Sequence, residues 1–195
     1  PPRPLPRRAI MLAPLALAAA LVACGGDGDG DDTPQVQPLD LTIAHINDHH
    51  SNLDAFADTD MKIGGLDTRV ELGGFARVTS AFKQYAGRDD VLKLHAGDAN
   101  TGTLYYTLFK GKADADMMNT VCFDAMAVGN HEFDDGDGQL KSFIDALHAG
   151  ACKTPVLAAN IRPQVGTPLA PKAADDYLKP YTLKTVKGVP VGIVG

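Results

Sequence analysis

Asp124-Ala-Met-Ala-Val-Gly-Asn-His-Glu-Phe-Asp134 decides the reading of this chain. The apolar run Phe123–Val128 is stopped by Gly129-Asn130 and passes at once into polar side chains, as a buried strand does when it ends in a functional loop. The same pattern recurs twice toward the N-terminus. Val91–His95 is stopped by Gly97-Asp98-Ala99-Asn100, and Leu39–Ile46 (LDLTIAHI) by Asn47-Asp48-His49-His50. Between these runs lie helical spacings. Leu72–Tyr85 carries Phe75, Val78, Ala81 and Phe82, Leu104–Asn119 reads as one or two helices, and Gln139–Ala149 sets Leu140, Phe143, Ile144 and Leu147 on one face. Val156–Ala159 is predicted as a fourth strand. Tyr181–Val186 and Val189–Val194, joined across Lys187-Gly188, are predicted as a hairpin. Alternation of this kind predicts an α/β fold, a largely parallel sheet covered by helices.

In a parallel sheet the carboxyl ends of neighbouring strands open on one edge, where ligands bind. The three polar endings therefore meet. Asp48 and His50, two apart in a loop, can face one ion, and a carboxylate with an imidazole suits Zn, Mn or Fe better than Ca. Asp98 can bridge two ions with its two oxygens, and Asn130 can offer its amide oxygen to the second. Two ions about 3.5–4 Å apart bind a phosphate, activate a water and steady the leaving oxygen. Asp and Asn are also ordinary turn residues after a strand. Three such endings in one chain favour the metal reading.

Asp48-His49-His50, Gly97-Asp98 and Gly129-Asn130-His131-Glu132 together match the calcineurin-like metallophosphoesterase signature D-x-H … G-D … G-N-H-[ED]. With His45-Ile-Asn-Asp48, Gly73-Gly-Phe-Ala-Arg77 and Ala158-Ala-Asn-Ile161, the chain from 39 to 195 resembles the bacterial 5′-nucleotidase family, whose members act as 5′-nucleotidases, UDP-sugar hydrolases and 2′,3′-cyclic phosphodiesterases. The resemblance implies a layered α/β sandwich. Asp48 and His50 would bind the first of two divalent ions, Asp98 would bridge both, and Asn130 would bind the second. It further implies that His131 contacts the phosphate and steadies charge in the transition state, with Asp134 orienting its ring. The nucleophile would be a hydroxide held by the metals, with no covalent phosphoenzyme. The family draws further ligands from later strands and grips the nucleoside with aromatics of a C-terminal domain. Residues 39–195 are accordingly expected to form the first half of a truncated catalytic domain, weak or inactive alone. Alternatives are a dinucleotide or nucleotide-sugar pyrophosphatase of the NAD or UDP-sugar type, a thiosulfohydrolase-like relative, and a non-catalytic surface binding protein.

The N-terminus points to export. Arg3, Arg7 and Arg8 precede an apolar run from Met11 to Ala23, and Leu21-Val22-Ala23-Cys24 resembles the lipobox of bacterial lipoproteins, where the Cys carries the lipid. Residues 1–24 are thus expected to be a signal peptide, and 25–38, rich in Gly and Asp, a disordered tether. The protein would be a periplasmic or cell-surface lipoprotein that meets the membrane only through that anchor. At 195 residues with 45% hydrophobic content, the chain suits one medium domain. Its net charge is −6, and −9 without the three N-terminal arginines, which excludes nucleic acid as a partner but leaves a nucleotide substrate whose phosphate is met by metal ions.

In an exported chain, Cys122 and Cys152 form a disulfide candidate against the alternative of two buried thiols. They meet at one edge if the strands following them are parallel neighbours. Among the other polar residues, His45 and His95 are expected to pack or to support the ligands, His49 to point away from the ion, and His148 to be solvated. Glu132 and Asp135–Asp137 are read as loop charges. The segment Thr101–Tyr106 is expected either to line a phosphate pocket or to pack its tyrosines on the sheet.

Overall fold

Strands β1 (Thr42–Ile46), β4 (Val91–His95), β5 (Ala125–Ala127) and β6 (Val156–Leu157) lie side by side in that order, every pair parallel. The computed structural model describes residues 38–172 and 177–195; the expected signal segment with Cys24, and the tether as far as Gln37, lie outside the described residues. Each crossover is made by helix: α1 (Phe75–Lys83) between β1 and β4, α2 (Leu104–Phe109) and α3 (Lys112–Met118) between β4 and β5, and α4 (Asp137–Ala149) before β6. This is the mixed α/β arrangement with a parallel sheet that the alternation predicts.

The helices cover the sheet with their apolar stripes. In α4, Leu140, Phe143, Ile144 and Leu147 recur at helical spacing and are all buried. At roughly 1.5–3 kcal/mol for each fully buried side chain, this stripe outweighs any intrinsic propensity of the segment. Asp137 in the first turn suits the helix dipole. The stretch Leu104–Asn119 becomes two helices because Lys110 and Gly111 both take positive φ, 49° and 80°, which ends α2 and reorients the chain into α3. Thr103 caps α2, its hydroxyl accepting from the Tyr105 N–H at 3.3 Å. The core then joins Phe75 and Phe82 of α1, Met118 of α3, the α4 stripe, and Val91, Met126 and Val156 of the sheet.

Two antiparallel hairpins flank this unit. β7 (Tyr181–Val186) and β8 (Val189–Val194) turn at Lys187-Gly188 as predicted. The second pair, β2 (Ala55–Ile63) and β3 (Leu66–Gly73), occupies a stretch for which no strand was predicted. Its turn, Gly64-Gly65, has φ of 59° and 87°, the two positive values that a tight two-residue hairpin needs. Helix α1 consequently starts at Phe75 rather than Leu72, because Gly73 and Gly74, at φ 68° and 83°, cannot belong to a right-handed helix.

Cys122 and Cys152 stand just before β5 and β6, which are neighbours, and are joined as a disulfide with Cα atoms 5.1 Å apart. The bridge lies at the edge where the strands begin, opposite the loops at their ends. His95 is buried, as expected. His45 is exposed, a correction: alternate residues of β1 face opposite ways, so burying Ala44 turns its neighbours Ile43 and His45 outward. His148 is half-buried rather than solvated, with its Nε2 3.0 Å from the Thr154 carbonyl.

Candidate metal centre

The loops after β1 and β4 continue the pairing of their strands. Ala96 N–H donates to Ile46 O at 2.9 Å, Asp48 N–H to Gly97 O at 3.0 Å, His50 N–H to Asp98 O at 3.2 Å and Ser51 N–H to Ala99 O at 2.9 Å. The loop after β5 closes from the other side. A Cβ on Gly97 would stand 2.8 Å from the Gly129 nitrogen, and one on Gly129 would overlap the Asp98 carboxylate. The glycines of Gly97-Asp98 and Gly129-Asn130-His131 are therefore the points at which two backbones touch, which draws Asp98 and His131 together. The His131 N–H donates to Oδ1 of Asp98 at 2.9 Å.

Side chains converge on the opening so formed. Donor atoms of His50, Asp98 and His131 all lie within 4.8 Å of one another. Nδ1 of His50 is 3.1 Å from the Asn100 carbonyl, which can only accept, so the proton sits on Nδ1 and the lone pair of Nε2 faces the opening. Asp48 Oδ1 is 3.6 Å from that Nε2. The Asn47 amide, which donates to the Asp48 carboxylate, holds its carboxyl below the usual range, helped by Asp98 and His50. Nδ1 of His131 is 2.7 Å from Oδ2 of Asp134, and this bond raises the imidazole's pKa. Asn130 is exposed and immediately precedes the 3-10 turn His131–Phe133.

Glu132 corrects the sequence reading most sharply. It is only 1% exposed. Its Oε1 accepts from the Ala99 N–H at 2.7 Å and the Asn100 N–H at 3.1 Å, and its Oε2 from the Gly129 N–H at 2.7 Å and the Asp98 N–H at 3.0 Å. One carboxylate thus closes two loops. A signal was available: Glu132 reaches back three residues to Gly129, the spacing at which a Glu side chain reaches back in a capping box. Asp135, also read as a loop charge, accepts from the Tyr106 hydroxyl at 3.1 Å and from Lys110 at 2.8 Å. Burial of its ring, together with the bond to Asp135, pushes the Tyr106 phenol far up. Tyr106 is buried, with its hydroxyl on Asp135 and Lys110 over its ring.

A family model described as calcineurin-like phosphoesterase matches residues 41–183. This chain belongs to the calcineurin-like phosphoesterase family. Among curated proteins it is 41% identical over 166 residues to the NAD 5′-nucleotidase of Haemophilus influenzae, covering 84% of this chain and 26% of that one. It is also 41% identical over 163 residues to the 5′-nucleotidase of Rattus norvegicus, covering 83% and 27%. Among solved structures, that of Haemophilus influenzae NAD nucleotidase superposes with a TM-score of 0.69 at 42% identity, over 80% of this chain and 29% of that one. The chain spans about a quarter of the length of the curated relatives it matches.

Divalent metal ions are implied for a calcineurin-like phosphoesterase, and the residues present fit them. Two carboxylates and a lone-pair-bearing imidazole, with a second imidazole opposite, are a donor set of oxygen and nitrogen suited to Zn or Mn. Of the sequence-derived residues, the structure gathers Asp48, His50, Asp98 and His131, pairs His131 with Asp134, and sets Asn130 beside His131.

Proposed function

We propose that this domain carries the catalytic metal centre of an exported phosphohydrolase that removes the 5′-phosphate from nucleotides, using two divalent ions. The observation that carries the reading is the convergence of His50, Asp98 and His131 on one opening, with the His131–Asp134 pair at its rim. Asp48 and His50 would hold the first ion, Asp98 would bridge, and Asn130 would hold the second. Ions bound there would offset phosphate charge and lower the pKa of a bound water.

The chain's own groups do the rest. His131 turns one ring nitrogen to Asp134, which favours its protonated form, and keeps the other for a phosphoryl oxygen. Negative charge that grows on that oxygen in the transition state then meets a cation fixed in direction. Asp48, kept ionised by the Asn47 amide, is ready as a ligand at neutral pH. A second reading, a dinucleotide pyrophosphatase, is favoured by the 41% identity to a protein named NAD 5′-nucleotidase.

Export is supported by the basic start, the apolar run and Cys24; the protein would then be a lipoprotein of the periplasm or cell surface. Labelling with a radioactive fatty acid should mark the parent and not Cys24→Ser. The catalytic reading is tested with product expressed from the complete reading frame. 5′-AMP and NAD should be hydrolysed with Mn or Zn present, and Asp98→Ala should lose both metal retention and hydrolysis. Full hydrolysis by Asp98→Ala would show the metal assignment to be wrong.

A further inference from the structure

His49 stands between the two ligands of the first loop, and its side chain turns into the protein. Its Nδ1 lies 2.9 Å from Nε2 of His95, and its Nε2 lies 3.1 Å from Oδ1 of Asp114. Oδ2 of Asp114 accepts from the Ser51 hydroxyl at 3.0 Å, and Nδ1 of His95 is 3.1 Å from the Gly97 nitrogen. Ser51 and Asp114 have no exposed surface, and His95 has 1%.

The protons in this row are fixed from one end. The Gly97 N–H can only donate, so Nδ1 of His95 bears no proton and Nε2 does. That proton is donated to Nδ1 of His49, so the proton of His49 is on Nε2 and goes to Asp114. Both imidazoles are neutral and share one tautomer, with every ring nitrogen used. Burial also favours the neutral form of His95, drawing its pKa down to about 3. Phe75 meets the His49 ring edge-on at 5.2 Å, and Phe123 meets that of His95 at 5.4 Å.

Both hydrogen-bond partners of Asp114, an α3 side chain, come from the loop that carries Asp48 and His50. That loop needs an anchor. Asp48, His50 and Ser51 take φ of 51°, 45° and 53°, left-handed values that cost a non-glycine residue roughly 1–2 kcal/mol each. Drawing His49 and Ser51 inward leaves Asp48 and His50 facing the opening. An apolar residue at 49 would pack on Phe75 as well, but would strand a buried carboxylate and a buried imidazole.

We propose that His49, His95 and Asp114 form a buried positioning network that presents Asp48 and His50 to the first metal ion. The inference rests on the metal-centre reading above. These residues touch neither ion nor substrate; they act through the ligands on either side of His49.

The test uses the full chain without nucleotide. Long-range proton–nitrogen spectra of the imidazoles should show His49 and His95 neutral with the proton on Nε2; a proton on Nδ1 in either ring overturns the network. In Mn2+ titrations, His49→Phe should weaken the first site about tenfold or more, the scale expected when a group behind a metal ligand is lost. His49→Gln, whose amide can accept from His95 and donate to Asp114, should recover most of that loss. Melting curves on the same samples separate the alternatives, since a merely structural role would lower Tm without splitting the two affinities. Parent affinity in His49→Phe overturns the inference and leaves the metal centre standing. A parent chain that binds no Mn2+ overturns both. If His49→Phe does not fold, Ser51→Ala, which removes one of the two donors to Asp114, should weaken Mn2+ severalfold, and an unchanged affinity overturns the proposal.

Discussion

The loops that carry Asp48, Asp98 and His131 and the β2–β3 hairpin both carry several carboxylates, yet those carboxylates do opposite work. Glu132 in the turn after β5 and Asp114 of α3 beneath the first loop are buried and bonded to groups from other parts of the chain. In the hairpin, Asp60 pairs with Arg69 at 3.1 Å and Asp67 with Lys62 at 2.7 Å, all exposed and all within the hairpin or its turn. Such pairs contribute about 0–1 kcal/mol, whereas stranding the donors of a buried carboxylate costs several times more. Charge in a sequence says little about rigidity. What matters is whether a chain reversal nearby leaves N–H groups that only that charge can satisfy.

The sharpest way to break this contrast is Glu132→Ala, which strands four backbone N–H groups. It should cost about 3–5 kcal/mol in urea unfolding and lower Mn2+ affinity. Glu132→Gln should cost nearly as much, because whichever way the amide is turned, its NH2 confronts two donors. A Glu132→Gln chain as stable as the parent would put the clamp in doubt.

Opening the Cys122–Cys152 bridge comes next. Releasing a crosslink across 30 residues should cost about 3–4 kcal/mol. The bridge is at the opposite edge from the loops, so a Cys122→Ser/Cys152→Ser chain should melt earlier yet bind Mn2+ as before below its transition.

Asp134→Asn should act on pH rather than on stability. The bond to Asp134 raises the pKa of His131, so its loss lets the ring deprotonate at lower pH. The alkaline limb of kcat/KM for 5′-AMP should move to lower pH, with a loss of about tenfold at neutral pH. An unmoved limb would remove His131 from the role of a charged phosphate contact. The bond also stabilises the fold, an effect present below the ordinary histidine pKa and lost as pH rises through the raised value. The smallest effect is expected in the hairpin, where Asp60→Ala should change stability by under about 0.5 kcal/mol.

The sheet and the site were readable for one reason: three strands end in residue types able to ligate metals, two of them directly after a glycine, and a parallel sheet brings such endings together. Asp98 and His131 could be brought to one edge from the sequence because each motif is short and sits next to its strand, while the bond between them comes from the structure. In the sequence Glu132 groups with Asp135–Asp137 as a loop charge, since three of its four partners come from a loop more than thirty residues away and the spacing to Gly129 is not read as a link. His49 was correctly turned from the ion, but its destination on α3 depends on packing. β2 and β3 escaped although Asp58, Asp60 and Lys62 alternate with Thr59, Met61 and Ile63 in the period of a strand, and Ile63-Gly64-Gly65-Leu66 is the signature of a two-residue turn. His45 was misplaced for want of knowing which face of β1 the helices cover.

Glu132 also bears on how such a centre can be moved between proteins. The last letter of Gly-Asn-His-Glu fastens the backbone of Gly-Asp, so the two motifs are one mechanical part written in two places. Grafting the ligands alone onto another parallel sheet would import the aspartate without its clasp. A working transplant has to carry Glu132 and both glycines as a set, with the spacing between the two strand ends preserved.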